Sequence, residues 1–230
     1  MNYSVSETIL QACPQYVAAV LEAEVKNTAT PADLWQEIEA ATTEVRRIHT
    51  PDTLKDLASI AATRVAYRQL GKDPSRYRPS GEALMRRVLQ GKPLYRIDAL
   101  VDLINLASLR SGYSIGGFDR DRIDGDTLTL GVGREGEPYE GIGRGALNIA
   151  GMPVWRDATG GVGTPTSDNE RTRITAGTRR LLVIVNGYDG DAAGVTATTE
   201  FISRLLRRYV GAGDPGDIRL IRGNEAKSRP

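Results

Sequence analysis

The sequence predicts an α+β fold, and three observations carry that prediction. Along its 230 residues a first short segment is followed by three or four helices, several strands, a helix and a strand. That order lacks the regular βαβ alternation of a doubly wound sheet. Residues 101–111, VDLINLASLRS, are apolar on nearly every side, as in a helix buried on more than one face. Residues 181–186, LLVIVN, form the longest β-rich run and predict a central strand ended by Gly187.

The remaining elements follow in order. Residues 16–27 hold Ala and Glu that favour helix, and Val17, Val20 and Val25 that allow a strand. Thr30-Pro31-Ala32-Asp33 opens a helix in which Leu34, Ile38, Ala41, Val45 and Ile48 share one face. Thr50-Pro51-Asp52-Thr53 breaks it and starts a second amphipathic helix over 54–70, ended by Gly71. After a proline-bearing loop at 72–79, Ser80 is expected to cap a third helix, 81–90, with Glu82 in its first turn. The buried helix stops at Gly112, a residue suited to the left-handed position past a helix end. Gly116 and Gly117 then let the backbone pass close to a neighbour.

Strands are predicted at 127–132 and 153–157, separated by a glycine-rich stretch of tight bends. Residues 159–172 read as a long polar loop, a kind of segment that often carries function. A last helix over 195–209, a strand within 217–223 and a disordered tail over 224–230 complete the chain. The expectation is one domain spanning 1–230, with no internal repeat.

Composition bounds the function. Forty per cent hydrophobic residues suffice for a core, and no apolar run is long enough to span a bilayer. The N-terminus lacks a basic-then-apolar leader, so a cytoplasmic protein is expected. One cysteine, Cys13, excludes an internal disulfide and a multi-cysteine metal site, and one histidine, His49, leaves no histidine cluster. His49 ends a helix and reads as a cap or surface residue, so a Ser/His/Asp set is not expected. Neither glycine run, at 141–145 or at 160–163, has the GK[ST] ending of a phosphate loop. No metal or cofactor is expected.

Charge is uneven. Residues 1–63 hold nine acids and four bases, whereas 64–96 hold nine bases and two acids. Such a basic block can gather phosphates, or pair with the acidic N-terminal third. Ser167, Asp168, Asn169, Glu170, Arg171 and Thr172 form the most polar cluster. There Asp168 and Arg171 suit an ammonium and a carboxylate, or Ser167 and Asp168 organise a turn. Asn105 sits on the apolar helix, where it fixes a loop or faces a pocket.

The same residues carry a resemblance. VDLINLASLRSGYSIGGFD at 101–119, continued by RDRIDGDTLTL, resembles the editing domain of the phenylalanyl-tRNA synthetase β subunit. In that domain an "inDxxN" helix leads to a "pxhafDxdki-gd" segment. Residues 76–106 and 167–187 resemble free-standing relatives of it, and the likeness spans about 60–190. The resemblance implies a strand at 16–27 and a curved, partly closed β core with helices packed outside.

It also implies a tRNA- or aminoacyl-ligand-binding protein that hydrolyses mischarged aminoacyl-tRNA in trans. The alternatives are a non-catalytic sensor of an amino-acid-like molecule on the same scaffold, or a module whose basic face meets an acidic protein. Expected to line the pocket are Asn105, Gly116, Gly117, Gly160, Gly161, Ser167, Asp168, Arg171 and Thr172, with Gly-Gly amides offered to an oxyanion. Arg76, Arg78, Arg86 and Arg87 are expected on phosphate. The family's histidine position matches Gly116, and its glutamate, which reads a tyrosine hydroxyl, matches Ile184.

Overall fold

A computed structural model describes residues 1–213 and 215–223; the tail expected at 224–230 lies outside the described residues. The elements are β1 (Asn2–Val5), α1 (Glu7–Ala12), β2 (Val17–Glu24), α2 (Ala32–Ile48), α3 (Ala58–Gln69), α4 (Ser80–Leu89), α5 (Ala99–Ser111), β3 (Ser114–Asp119), β4 (Thr127–Val132), β5 (Glu140–Gly141), β6 (Gly145–Ala146), β7 (Pro153–Arg156), β8 (Gly161–Gly163), β9 (Arg180–Gly187), α6 (Ala192–Tyr209) and β10 (Arg219–Arg222). The fold is α+β with mixed sheets, as the sequence predicts, and the strands do not close into a barrel.

One sheet has the order β10-β2-β9-β3 and is antiparallel throughout. The other has the order β1-β4-β7-β8, with β1 parallel to β4 and the rest antiparallel. Residues 16–27 resolve as strand β2, because alternate side chains are buried on both faces. Val17, Ala19, Leu21 and Ala23 of β2, with Leu181, Val183 and Val185 of β9, pack on α2, α4, α5 and α6. Their alternates, Ala18, Val20, Leu182 and Ile184, pack on Leu128, Leu130 and Trp155 of the second sheet. The period of 2 along a strand thus produces three layers: helices, sheet, sheet.

Helix α5 is the hub. Its Leu100, Leu103, Leu106 and Ala107 are fully buried, each leucine contributing about 2 kcal/mol by leaving water. Asp98 caps it by accepting from the Val101 N–H at 2.9 Å, and Gly112 ends it at φ 74°.

Three local expectations are corrected. The helix expected over 54–70 is a 3-10 turn, Leu54–Asp56, followed by α3; Leu57 between them is extended. Leu57 packs at Gly112, and the Ser59 hydroxyl donates to Ser111 O at 2.9 Å, so docking onto the end of α5 breaks the helix. Ser80 is the first residue of α4 and not its cap. Its N–H donates to Pro165 O at 2.7 Å, and Pro79 holds the cap position without a side-chain bond. The polar loop at 159–172 contains β8 and a 3-10 turn, Glu170–Thr172, and its residues 161–166 are buried. The Gly116-Gly117 segment is the middle of β3, paired with Ile184 and Val183 of β9. Strand β1 and helix α1 precede the first element that the sequence pattern revealed.

Candidate functional site

The principal cavity, about 750 Å3, opens on the helical side of the antiparallel sheet. Ser80, Ala83, Leu84 and Arg87 of α4 form one wall, and Val101, Ile104, Asn105 and Ser108 of α5 another. Ile115 and Gly117 of β3 form the back. The segments 164–168 and 173–176, with Ile142 and Arg144, close the far side. The lining is mainly aliphatic, and Ile97 (59% exposed) and Ile142 (40% exposed) stand at its edge. Gly117 matters for space: a Cβ there would lie 2.6 Å from Ile104 Cδ1.

Asp168 supplies the acid of the lining. Its Oδ2 accepts from the Gly117 N–H at 3.1 Å, while Ile142 N–H donates to its backbone carbonyl at 3.0 Å. Burial pushes the Asp168 carboxyl up to about 7, against the opposing pull of the Gly117 N–H. The segment that carries it is tied down from behind. Tyr139 Oη donates to Ser167 O at 2.7 Å, and Thr164 Oγ1 donates to the same carbonyl at 3.0 Å. Burial, and next the nearby Asp168 charge, push the Tyr139 phenol far upward, so it stays a donor.

Three arginines border the cavity. Arg87 Nε donates to Pro93 O at 2.7 Å, and its guanidinium lies over the Tyr95 ring at 4.2 Å. Arg173 pairs with Glu170 at 2.8 Å, and Arg144 makes no ion pair among the described residues. The Asn105 amide likewise has no hydrogen-bond partner among the described residues. The mouth is pinned by Asp102, buried on α5, which accepts from Thr30 Oγ1 at 2.5 Å and from the Ile97 N–H at 3.3 Å. The site is therefore an apolar chamber with one carboxyl of raised pKa and a cationic border. Such a combination marks functional sites more often than chance.

Of the sequence-predicted pocket residues, Asn105, Gly117, Ser167 and Asp168 line this cavity. The others lie elsewhere. Arg171 grips the Asp157 carboxylate at 2.9 and 2.8 Å and donates to Arg122 O. Thr172 is fully buried, with Oγ1 donating to Val162 O at 3.3 Å. Gly161 lies against Tyr139, where a Cβ would come within 2.8 Å of the ring, and Gly160 forms a turn. Gly116 faces the layer between the sheets, directly opposite Ile184.

Among the expected phosphate-binding arginines, only Arg87 borders the cavity. Arg86 and Arg78 approach the buried Glu82 at 2.7 and 3.6 Å, joined by Arg64 at 2.9 Å, and Arg76 lies 5.4 Å from the Tyr77 ring centroid. Sequence reasoning missed Arg144, Arg173 and the isoleucines, although Arg173 directly follows the polar cluster. No group of three or more His, Cys, Asp or Glu side chains able to hold a metal occurs among the described residues. Among the same residues, no helix is long and apolar enough to cross a membrane.

The fold and cavity define an α+β domain with a ligand-sized chamber between helices and sheet. Residues 62–210 match the family model of the B3/4 domain, and the chain belongs to that family. It is a relative of the B3/4 domain of the phenylalanyl-tRNA synthetase β subunit. A solved structure with similarity is an N-terminal fragment of the phenylalanyl-tRNA synthetase β subunit from Pyrococcus horikoshii, at 13% identity and a TM-score of 0.47. The match covers 92% of this chain and 49% of that one, so the chain spans about half the fragment's length. No curated protein matches the sequence.

Proposed function

We propose that the cavity binds an aminoacyl group and that the protein hydrolyses mischarged aminoacyl-tRNA in trans, in the cytoplasm. The observation that carries this reading is Asp168: a carboxyl with a pKa near 7 beside an apolar chamber bordered by arginines. A base with such a pKa is half ionised at neutral pH and suited to proton transfer.

In this reading the ligand's side chain lies among Leu84, Val101, Ile104 and Ile115, and tRNA phosphates meet Arg87, Arg144 and Arg173. Asp168 accepts a proton as water oxygen bonds to the ester carbonyl carbon. In the same reading the amide of Asn105, which lines this cavity, donates to the resulting oxyanion. Gly117 N–H is already engaged by Asp168, so it orients the base and not the oxyanion. Collapse breaks the ester bond, and the departing ribose hydroxyl takes the proton back. The products are a free amino acid and a deacylated tRNA.

A panel of mischarged tRNAs tests this. Hydrolysis above background that Asp168→Asn abolishes supports the reading, and no turnover on any member sinks it. A second reading, non-catalytic binding of an amino-acid-like molecule, is favoured by Gly116 and Ile184, which carry no polar group where the family's histidine and glutamate are expected. It requires stoichiometric ligand uptake without turnover.

A further inference from the structure

A single exposed hydrophobic side chain is ordinary, but one on the strap between α4 and α5, residues 92–98, is not isolated. Tyr95 is 67% exposed, the most exposed large hydrophobic side chain among the described residues. Arg87 of the cavity wall lies over its ring at 4.2 Å and covers one face. Ile97, two residues along, lines the same cavity, and two residues of chain span at most about 7 Å. Tyr95 therefore stands on the rim of the cavity, just outside it.

The strap is held in place. Leu94 packs on the helical core, and Pro93 O accepts from Arg87 Nε at 2.7 Å. Ile97 N–H donates to Asp102 at 3.3 Å. The Arg96 guanidinium lies 5.1 Å from the Trp35 ring centroid and donates to Thr30 O at 3.4 Å. A ring carried on such a strap loses little freedom when a partner covers it. The charge around it is one-sided. Residues 83–97 contain Arg86, Arg87, Lys92 and Arg96 and no acid. Arg86 is taken by Glu82, whereas Arg87 and Lys92 make no ion pair among the described residues.

A flat aromatic surface beside unpaired cations fits a nucleobase and its phosphate. The base must come from an unpaired strand, because a base within a duplex has both faces covered by its neighbours. We propose that Tyr95 is a stacking platform for an unpaired base at the 3′ end of tRNA, with Arg87 and Lys92 meeting its phosphates. The choice of tRNA rests on the hydrolytic reading. An aminoacyl side chain among Leu84, Val101 and Ile104 leaves the terminal ribose at the cavity mouth, and the base attached to that strand then lies over the rim. The cavity thus takes the acyl group and the strap takes the nucleotide.

The test measures fluorescence anisotropy of the full chain with uncharged tRNA in low salt, using intact tRNA and the same tRNA trimmed of its unpaired 3′ nucleotides. Tyr95→Ala should weaken binding of intact tRNA about tenfold and leave binding of trimmed tRNA unchanged. Tyr95→Trp should restore the affinity, whereas Tyr95→Leu, which keeps a cover over Arg87 but no aromatic face, should not. Three results overturn the proposal: equal affinity of wild type and Tyr95→Ala for intact tRNA, equal losses on intact and trimmed tRNA, or no binding of tRNA by wild type. A ring this exposed adds little to the core, so the variants keep the fold. Uncharged tRNA carries no ester, so deacylation without this platform and the platform without deacylation are separately visible.

Discussion

Asp168→Asn should stabilise this protein at alkaline pH while abolishing its proposed reaction. Asparagine keeps the side-chain volume and an oxygen for the Gly117 N–H, and removes only the ionisation. In the native chain the carboxyl titrates near 7 rather than at its ordinary 3.8, because burial disfavours the charged form. Between those values the native state holds a proton that the unfolded state has released. Stability therefore falls as pH rises from about 4 to about 7, then levels off. The full difference corresponds to an upper value of about 4 kcal/mol.

The variant should match wild type near pH 4 and exceed it by about 2–4 kcal/mol at pH 8. For a chain of this length that upper value corresponds to a rise in Tm of about 10 °C. Urea denaturation of both proteins at the two pH values measures it. A difference that stays constant between pH 4 and 8 would show that the native carboxyl titrates normally, and the argument for Asp168 as a base would fall with it. A stabilising substitution that removes activity is the expected signature of a group kept for chemistry at the expense of stability.

Three further outcomes separate structural from binding arginines. Glu82→Gln should cost about 3–5 kcal/mol in urea denaturation, because it leaves Arg64 and Arg86 facing a neutral group in a buried setting. Arg171→Ala should lower stability by about 1–3 kcal/mol by taking the guanidinium from the Asp157 carboxylate, which keeps three backbone N–H donors, yet leave ligand affinity unchanged in a binding titration, since Arg171 lies outside the cavity. Arg87→Ala, Arg144→Ala and Arg173→Ala should each weaken tRNA binding and reduce the slope of log affinity against log salt by about 1, whereas Arg86→Ala should leave the slope intact.

What could be read from sequence depended on how local the cause was. Helix α5, its Gly112 end and strand β9 were legible because apolar periodicity and a left-handed glycine are written in adjacent residues. Arg78, Glu82 and Arg86 stand at helical spacing, but the burial of Glu82 and its pairing with Arg64 arise from packing of α3 on α4. Asp168 was visible as a polar candidate. Its raised pKa was not, because the desolvation comes from β3 and β8 closing around it. Arg171 looked equally functional from its position in the cluster. Its partner Asp157 lies across the β7–β8 turn, a juxtaposition that only the folded strands create. The loop at 159–172 read as exposed because its side chains are polar. It is buried because Thr164, Thr166, Asn169 and Thr172 find internal hydrogen-bond partners.

The alternation along β3 also decides what a restored family residue can do. Ile115 and Gly117 face the cavity, whereas Ser114, Gly116 and Phe118 face the second sheet and line a small separate space there with Trp155 and Tyr188. A histidine introduced at 116 would therefore point away from the ligand cavity. Its Cβ would start 2.6 Å from Phe118 Cζ, in a layer already filled by Leu130, Trp155 and Ile184. Overpacking of this kind costs about 1–3 kcal/mol, and the imidazole would also occupy the space behind Asp168. Gly116→His should accordingly lower the urea midpoint and leave deacylation no faster than wild type. A folded variant that hydrolysed mischarged tRNA faster would place the reacting ester on the sheet side of β3 and refute the assignment of the cavity.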